Sequence, residues 1–268
     1  MGRIITVKRS ILPRCRLSYC LSILISSALL LCLGCEKETG YHIRPVSPSG
    51  YALLNKAQNA IQAQDYPRAM ALVDSAAIYD PESPAVHFLR GLIFEQMRNL
   101  AEARNSYDIA YRLDSEYPGV RFYLGNVQFK FENYGDAIKL YGEAIEQYET
   151  GQGLSKSRIY LNLGAAYSRA GKRDSALYVY GQAIRDDSSN AEAYARIADE
   201  QKKSGDLEKA LDYMRLACRF NSDNPEYQFE LGTLYFQQGD VLNAIPSLKK
   251  TSKGSLKRSK TSVLKLLL

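Results

Sequence analysis

Two histidines, five cysteines and one adjacent pair of aspartates are the residues from which a reactive site in this 268-residue chain would have to be built. His42 stands in a stretch rich in Pro, Gly and Ser. His87 stands in an apolar, helix-periodic one. Spacing gives neither a Ser, Cys or Asp partner, so no nucleophile–base pair is expected. Asp186-Asp187 closes a periodic segment, where a carboxylate opposes the helix dipole, and it reads as a turn rather than a metal site. Phosphate loops, paired-Cys motifs and metal-ligand clusters are not found in the sequence. The expectation is therefore a chain that is not an enzyme, with no cofactor, no metal and no small-molecule substrate. What remains is non-covalent chemistry. Guanidinium and amide groups on periodic segments can grip a carboxylate through charge-assisted bonds.

The elements that would carry those groups are marked by small residues. Ala69, Ala103 and Ala137 lie 34 residues apart, Ala176 follows after 39, and Ala210 and Ala244 return to 34. Seven residues after each comes Ala76, Ala110, Ala144, Ala183, Ala217 or Thr251. Twelve residues before each stands Ala57, Gly91, Gly125, Gly164, Ala198 or Gly232. Three phased small positions imply paired helices that approach closely because the side chains at the contact are almost absent. The extra residues fall within Thr150–Ser155, where two glycines favour a longer turn over a longer helix.

Larger residues keep the same phase. Leu124-Gly125, Leu163-Gly164 and Leu231-Gly232, then Tyr167 and Tyr235, then Tyr107, Tyr141 and Tyr180, with Pro81 at one repeat end, resemble the tetratricopeptide repeat, a 34-residue helical hairpin. The resemblance implies an all-α fold, a right-handed α-solenoid of about six hairpins: residues 50–83, 84–117, 118–151, 157–190, 191–224 and 225–250. It covers about 50–248 and implies binding rather than a reaction, because the family is defined by packing.

The resemblance also implies which offsets face the hollow side of the array. In the third repeat these give Phe122, Asn126, Phe129 and Lys130. The fourth gives Arg158, Asn162 and Arg169. The fifth gives Arg196, Lys202 and Lys203, beside Glu192 and Asp199. The implied surface is a cationic hollow with an aromatic wall, fit for a protein or peptide with an acidic or C-terminal carboxylate segment. A subset of the family grips such a carboxylate with Lys and Asn, then Asn, then Lys and Arg. Asn126, Asn162 and Arg196 match that set, while Phe122 and Glu192 stand where Lys is usual. The other reading of these polar residues is a plain solvated surface.

Residues 1–34 are a different kind of segment. Arg3, Lys8, Arg9, Arg14 and Arg16 precede an uncharged apolar run, Leu17 to Gly34. This fits a signal peptide or a retained membrane anchor. Leu31-Cys32-Leu33-Gly34-Cys35 resembles a bacterial lipoprotein signal, which implies acylation of Cys35. The chain would then reside in the bacterial cell envelope, on the periplasmic side or at the outer membrane, held by lipid through a flexible tether over 35–49. Cleavage without lipid is the third alternative. Loss of the signal removes five positive charges from the formal +6, so the basic balance is no argument for nucleic acid. It also leaves Cys218 as the sole cysteine apart from Cys35, which excludes a disulfide framework.

Residues 251–268 carry Lys253, Lys257, Arg258, Lys260 and Lys265 and no acid. They read as a helix capping the last repeat, as a basic segment for anionic lipid or an acidic partner, or as a wrongly ended gene. The sequence as a whole points to a non-catalytic, membrane-tethered scaffold. Two narrower alternatives are an assembly factor resembling the pilotins of outer-membrane secretins and an adaptor for a cell-wall hydrolase.

Overall fold

The computed structural model describes residues 47–148 and 154–251. Their twelve helices are α1 (Pro48–Gln62), α2 (Tyr66–Tyr79), α3 (Pro84–Gln96), α4 (Leu100–Leu113), α5 (Val120–Lys130), α6 (Tyr134–Glu146), α7 (Lys156–Arg169), α8 (Arg173–Asp186), α9 (Ala191–Lys203), α10 (Leu207–Phe220), α11 (Pro225–Gln237) and α12 (Val241–Thr251). No strand occurs among the described residues. Consecutive helices pair as six antiparallel hairpins, and each hairpin packs on the next as an all-α right-handed solenoid.

Local chemistry starts the helices. Asp65, Asn99, Asn190, Asp206 and Asn224 each accept a backbone N–H of the first turn, which supplies a partner for one orphan donor. Pro48, Pro67, Pro84 and Pro225 occupy first-turn positions whose N–H needs no partner. The first hairpin, expected from residue 50, starts two residues earlier. Ser47 Oγ accepts the N–H of Gly50 at 3.0 Å and α1 begins at Pro48. The residues expected to carry the insertion lie between α6 and α7, and neither helix is lengthened. Residues 149–153 of that connection lie outside the described residues, as do the segment ending in Cys35 and the tail from residue 252.

The phased small residues form the seam of the array. Ala69, Ala76, Ala103, Ala110, Ala137, Ala176, Ala183, Ala210 and Ala217 are all fully buried. The glycines do something further. A Cβ on Gly91 would stand 2.6 Å from the Tyr107 ring, and one on Gly125 would stand 2.8 Å from Tyr141. Gly164 meets Tyr180 in the same way. Each ring crosses its partner helix through the gap that a missing side chain leaves. Where Ala57 and Ala198 replace Gly, the residues sixteen positions on are Val73 and Met214, not rings.

Polar groups tie neighbouring hairpins together at their ends. Asp186 accepts the Ser157 N–H at 2.9 Å, and Asn190 donates to Ser157 Oγ at 2.7 Å. The start of α7, the end of α8 and the cap of α9 are thereby joined. Arg121, only 9% exposed, donates to Glu116 at 2.9 Å and to Glu143 at 3.2 Å and lies over the Tyr111 ring. It clamps the second hairpin to the third.

Candidate functional site: a charged cleft over the first helices

The first helices of four successive hairpins, α3, α5, α7 and α9, contribute to one open cleft of about 930 Å³. Tyr141 and Tyr180 reach its floor from the second helices, through the gaps at Gly125 and Gly164. Tyr141 donates its hydroxyl to Asn126 Oδ1 at 2.8 Å. Asn162 Nδ2 donates to the same oxygen at 2.7 Å. One amide oxygen thus takes two donors, and its orientation is set by a ring from behind and a neighbour from the side.

Of the ten residues that the sequence assigned to the hollow side, eight line this cleft: Asn126, Phe129, Lys130, Arg158, Asn162, Arg169, Arg196 and Lys203, while Lys202 lines a neighbouring cleft. Phe122 lines neither, and the expectation of an aromatic wall there is corrected. It is 1% exposed, packed against Tyr123 and Tyr141 in the core. Helix α5 turns that position toward α6, and what reaches the surface is the Arg158 guanidinium, 5.8 Å from the Phe122 ring centre. Phe129 remains as the aromatic edge, in T-shaped contact with Tyr134.

The cleft is less uniformly cationic than the sequence implied, because most of its cations have carboxylates. Lys130 pairs with Glu95 at 2.6 Å, and Arg196 with Glu192 at 2.9 Å. Lys203 reaches both Asp199 and Glu200 at 2.8 Å. Burial works against the charge of Arg196 and Lys203. The carboxylate bonds outweigh it, so both pKa values lie above their ordinary positions. Glu200 is 4% exposed and also accepts Ser168 Oγ at 2.6 Å. Arg158 and Arg169 make no ion pair among the described residues, and both are exposed. They are the cleft's uncompensated charges.

Glu95 and Glu200 were not found from the sequence. Glu95 sits at the offset that gave Phe129 in the next hairpin, so applying the same rule to the second hairpin would have found it. Glu200 carries no such signal. It accepts Ser168 Oγ from the preceding hairpin, a contact that no offset within its own hairpin marks.

Among the described residues, His87, Cys218 and Asp187, which could have done chemistry, have structural roles; His42 lies outside them. His87 Nε2 donates to the Pro81 carbonyl at 3.0 Å, and burial lowers its pKa. Burial pushes the Cys218 thiol up to about 11, away from the thiolate form that reactivity requires. Asp187 accepts from Ser189 in a local turn. Among the described residues no three His, Cys, Asp or Glu side chains gather as metal ligands, and no helix is long and apolar enough to cross a membrane.

Comparison with known families settles what the array is. The tetratricopeptide repeat family matches residues 54–118, 120–189, 161–225 and 195–251. The chain belongs to the tetratricopeptide repeat family. Repeats of this family are protein-binding modules, and the hairpins here supply such a scaffold. A curated relative, the DnaJ homolog subfamily C member 7 homolog of Dictyostelium discoideum, is 26% identical over 188 residues, 65% of this chain. The chain spans about a third (34%) of that relative's length. Among solved structures, PilF of Pseudomonas aeruginosa superposes with a TM-score of 0.66 at 19% identity, over 80% of this chain and 97% of its own. PilW, a widely conserved type IV pilus biogenesis factor, gives 0.71 at 14% identity, over 80% and 98%. YrrB, a tetratricopeptide repeat protein with an unusual peptide-binding site, gives 0.53 at 18% identity, over 72% and 97%. At these identities the likenesses show the repeat fold alone.

Proposed function

We propose that this protein is a non-catalytic scaffold, tethered to a membrane outside the cytoplasm, that holds a segment of a partner protein in the cleft over α3, α5, α7 and α9. The observation that carries the reading is the meeting of Arg158, Arg169, Asn126 and Asn162 at one open cleft of about 930 Å³. These donors are fixed on rigid helices, so little ordering is required when a segment binds. Arg158 and Arg169 make no ion pair among the described residues and suit carboxylates of the partner, including a C-terminal one. Acylated Cys35 would provide the tether, and the likeness to PilW supports a place in the bacterial cell envelope.

Titration of an acidic peptide against the Arg158→Ala, Arg169→Ala variant tests the cleft. Affinity should fall about tenfold or more, in line with loss of two charge-assisted contacts. Unchanged affinity removes the reading. The tether is tested separately, by moving Cys35→Ser into the soluble fraction of a bacterial host. Retention in the membrane removes the lipid.

The likeness to PilW favours one narrower reading, an assembly factor for a pilus or an outer-membrane secretin. Deletion should then reduce secretin multimers, whereas a hydrolase adaptor should co-purify with a peptidase or amidase.

A further inference from the structure

The cleft over α3, α5, α7 and α9 does not end at α9. A second one, of about 470 Å³, continues over α9 and α11 and shares Arg196 and Asp199 with the first. The two differ in sign. The first is lined by five cations and three carboxylates. The second has Glu192, Asp199, Glu226 and Glu230 against Arg196 and Lys202.

Pairing sharpens the contrast. Lys202 binds Glu230 at 2.9 Å, and Arg196 binds Glu192. Among the described residues, the lining charges left without an ion pair are Arg158 and Arg169 on α7 and Glu226 on α11. Uncompensated charges of opposite sign therefore stand two first helices apart. Directly packed helices lie about 10 Å apart, and α7, α9 and α11 touch one another far less than each touches its hairpin partner, so the separation is about 20 Å or more. An extended chain advances about 3.3 Å per residue, so about six residues or more span the gap.

We infer that the continuous groove selects an extended protein segment of mixed charge, with acidic residues over α7 and basic residues about six or more positions away over α11. This rests on the groove reading above and goes beyond it, since a merely acidic segment would meet repulsion over α11. Salt weakens both ends, and the register of the bound segment is set by the two signs together.

Three fluorescent peptides of equal length test this against the full chain in detergent, by anisotropy. In the first, two Glu and two Lys are separated by about six or more neutral residues. In the second, the same residues are interleaved. In the third, Gln replaces the Lys. The separated peptide should bind about tenfold more tightly than either of the others. Glu226→Gln with Glu230→Gln should erase that preference without abolishing binding. Arg158→Gln with Arg169→Gln should weaken all three. If the first and third peptides bind equally and both depend on Arg158 and Arg169, the groove reading stands and this inference falls. If no peptide shows binding that depends on those arginines, both fall.

Discussion

The first three hairpins and the last three make the same tight turn between their helices with different residues. In α1–α6 the left-handed position is filled by Gln64, Arg98 and Glu132, at φ of 60°, 62° and 63°. In α7–α12 it is filled by Gly171, Gly205 and Gly239, at 74°, 84° and 80°. A left-handed conformation costs an L-residue with a Cβ roughly 1–2 kcal/mol and costs glycine little. The turn survives in both halves, so it is imposed by the packing of the two helices it joins. Residue preference follows in one half and is overridden in the other. At the seam the halves are alike: Ala103 and Ala137 in one and Ala176 and Ala210 in the other are fully buried.

The largest expected effect tests that likeness. Ala137→Leu and Ala176→Leu should each lower stability by about 1–3 kcal/mol through overpacking, to a similar degree in both halves. Thermal melts followed by circular dichroism would show it. Two unchanged melts would remove close helix approach as the basis of the array.

Gly164→Ala should cost about 1–2 kcal/mol, because its Cβ would enter the Tyr180 ring. Adding Tyr180→Met, which copies the Ala198–Met214 arrangement of the next hairpin, should recover much of the loss. Failure of that rescue would show that the pairing of missing side chain and ring does not set the contact.

The turns should then separate the halves. Gly171→Ala is expected to destabilise by about 1 kcal/mol, while Glu132→Gly should stabilise by up to about 1 kcal/mol. Denaturant midpoints of the same sign for both would break the comparison.

The smallest effect concerns ion pairs. Glu192→Gln should shift stability by less than about 0.5 kcal/mol, since its pair with Arg196 is half-exposed. The pH dependence has a definite sign. Lys203 is raised above its ordinary pKa and Cys218 sits at about 11, so the folded state holds protons that the unfolded chain has already released. Stability from both is complete below about pH 9 and falls as pH rises toward and through the folded values. Cys218→Ala should flatten part of that fall. A rise in stability above pH 9 would contradict the assignment.

Much of the candidate site was legible because an inward-facing offset repeats with the hairpin. That rule found Asn126, Asn162, Arg158 and Arg169. It failed at Phe122, whose offset was right in kind but whose ring the third hairpin draws into its core between Tyr123 and Tyr141. It did not reach Glu200, whose contact with Ser168, like that of Glu95 with Lys130, depends on side chains from different hairpins meeting.

The sequence by itself determined the hairpin period, the all-helical class and the seam of small residues. Spacing along one chain is enough to phase a helix and mark where it must lie close to another. Only the tertiary structure decided which ring fills each glycine's gap, which charges remain unpaired in the cleft, and that its sign reverses toward α11. The ring in each gap is decided by how the two helices of one hairpin meet, and the change of sign by how successive hairpins lie side by side; the period of a single helix fixes neither.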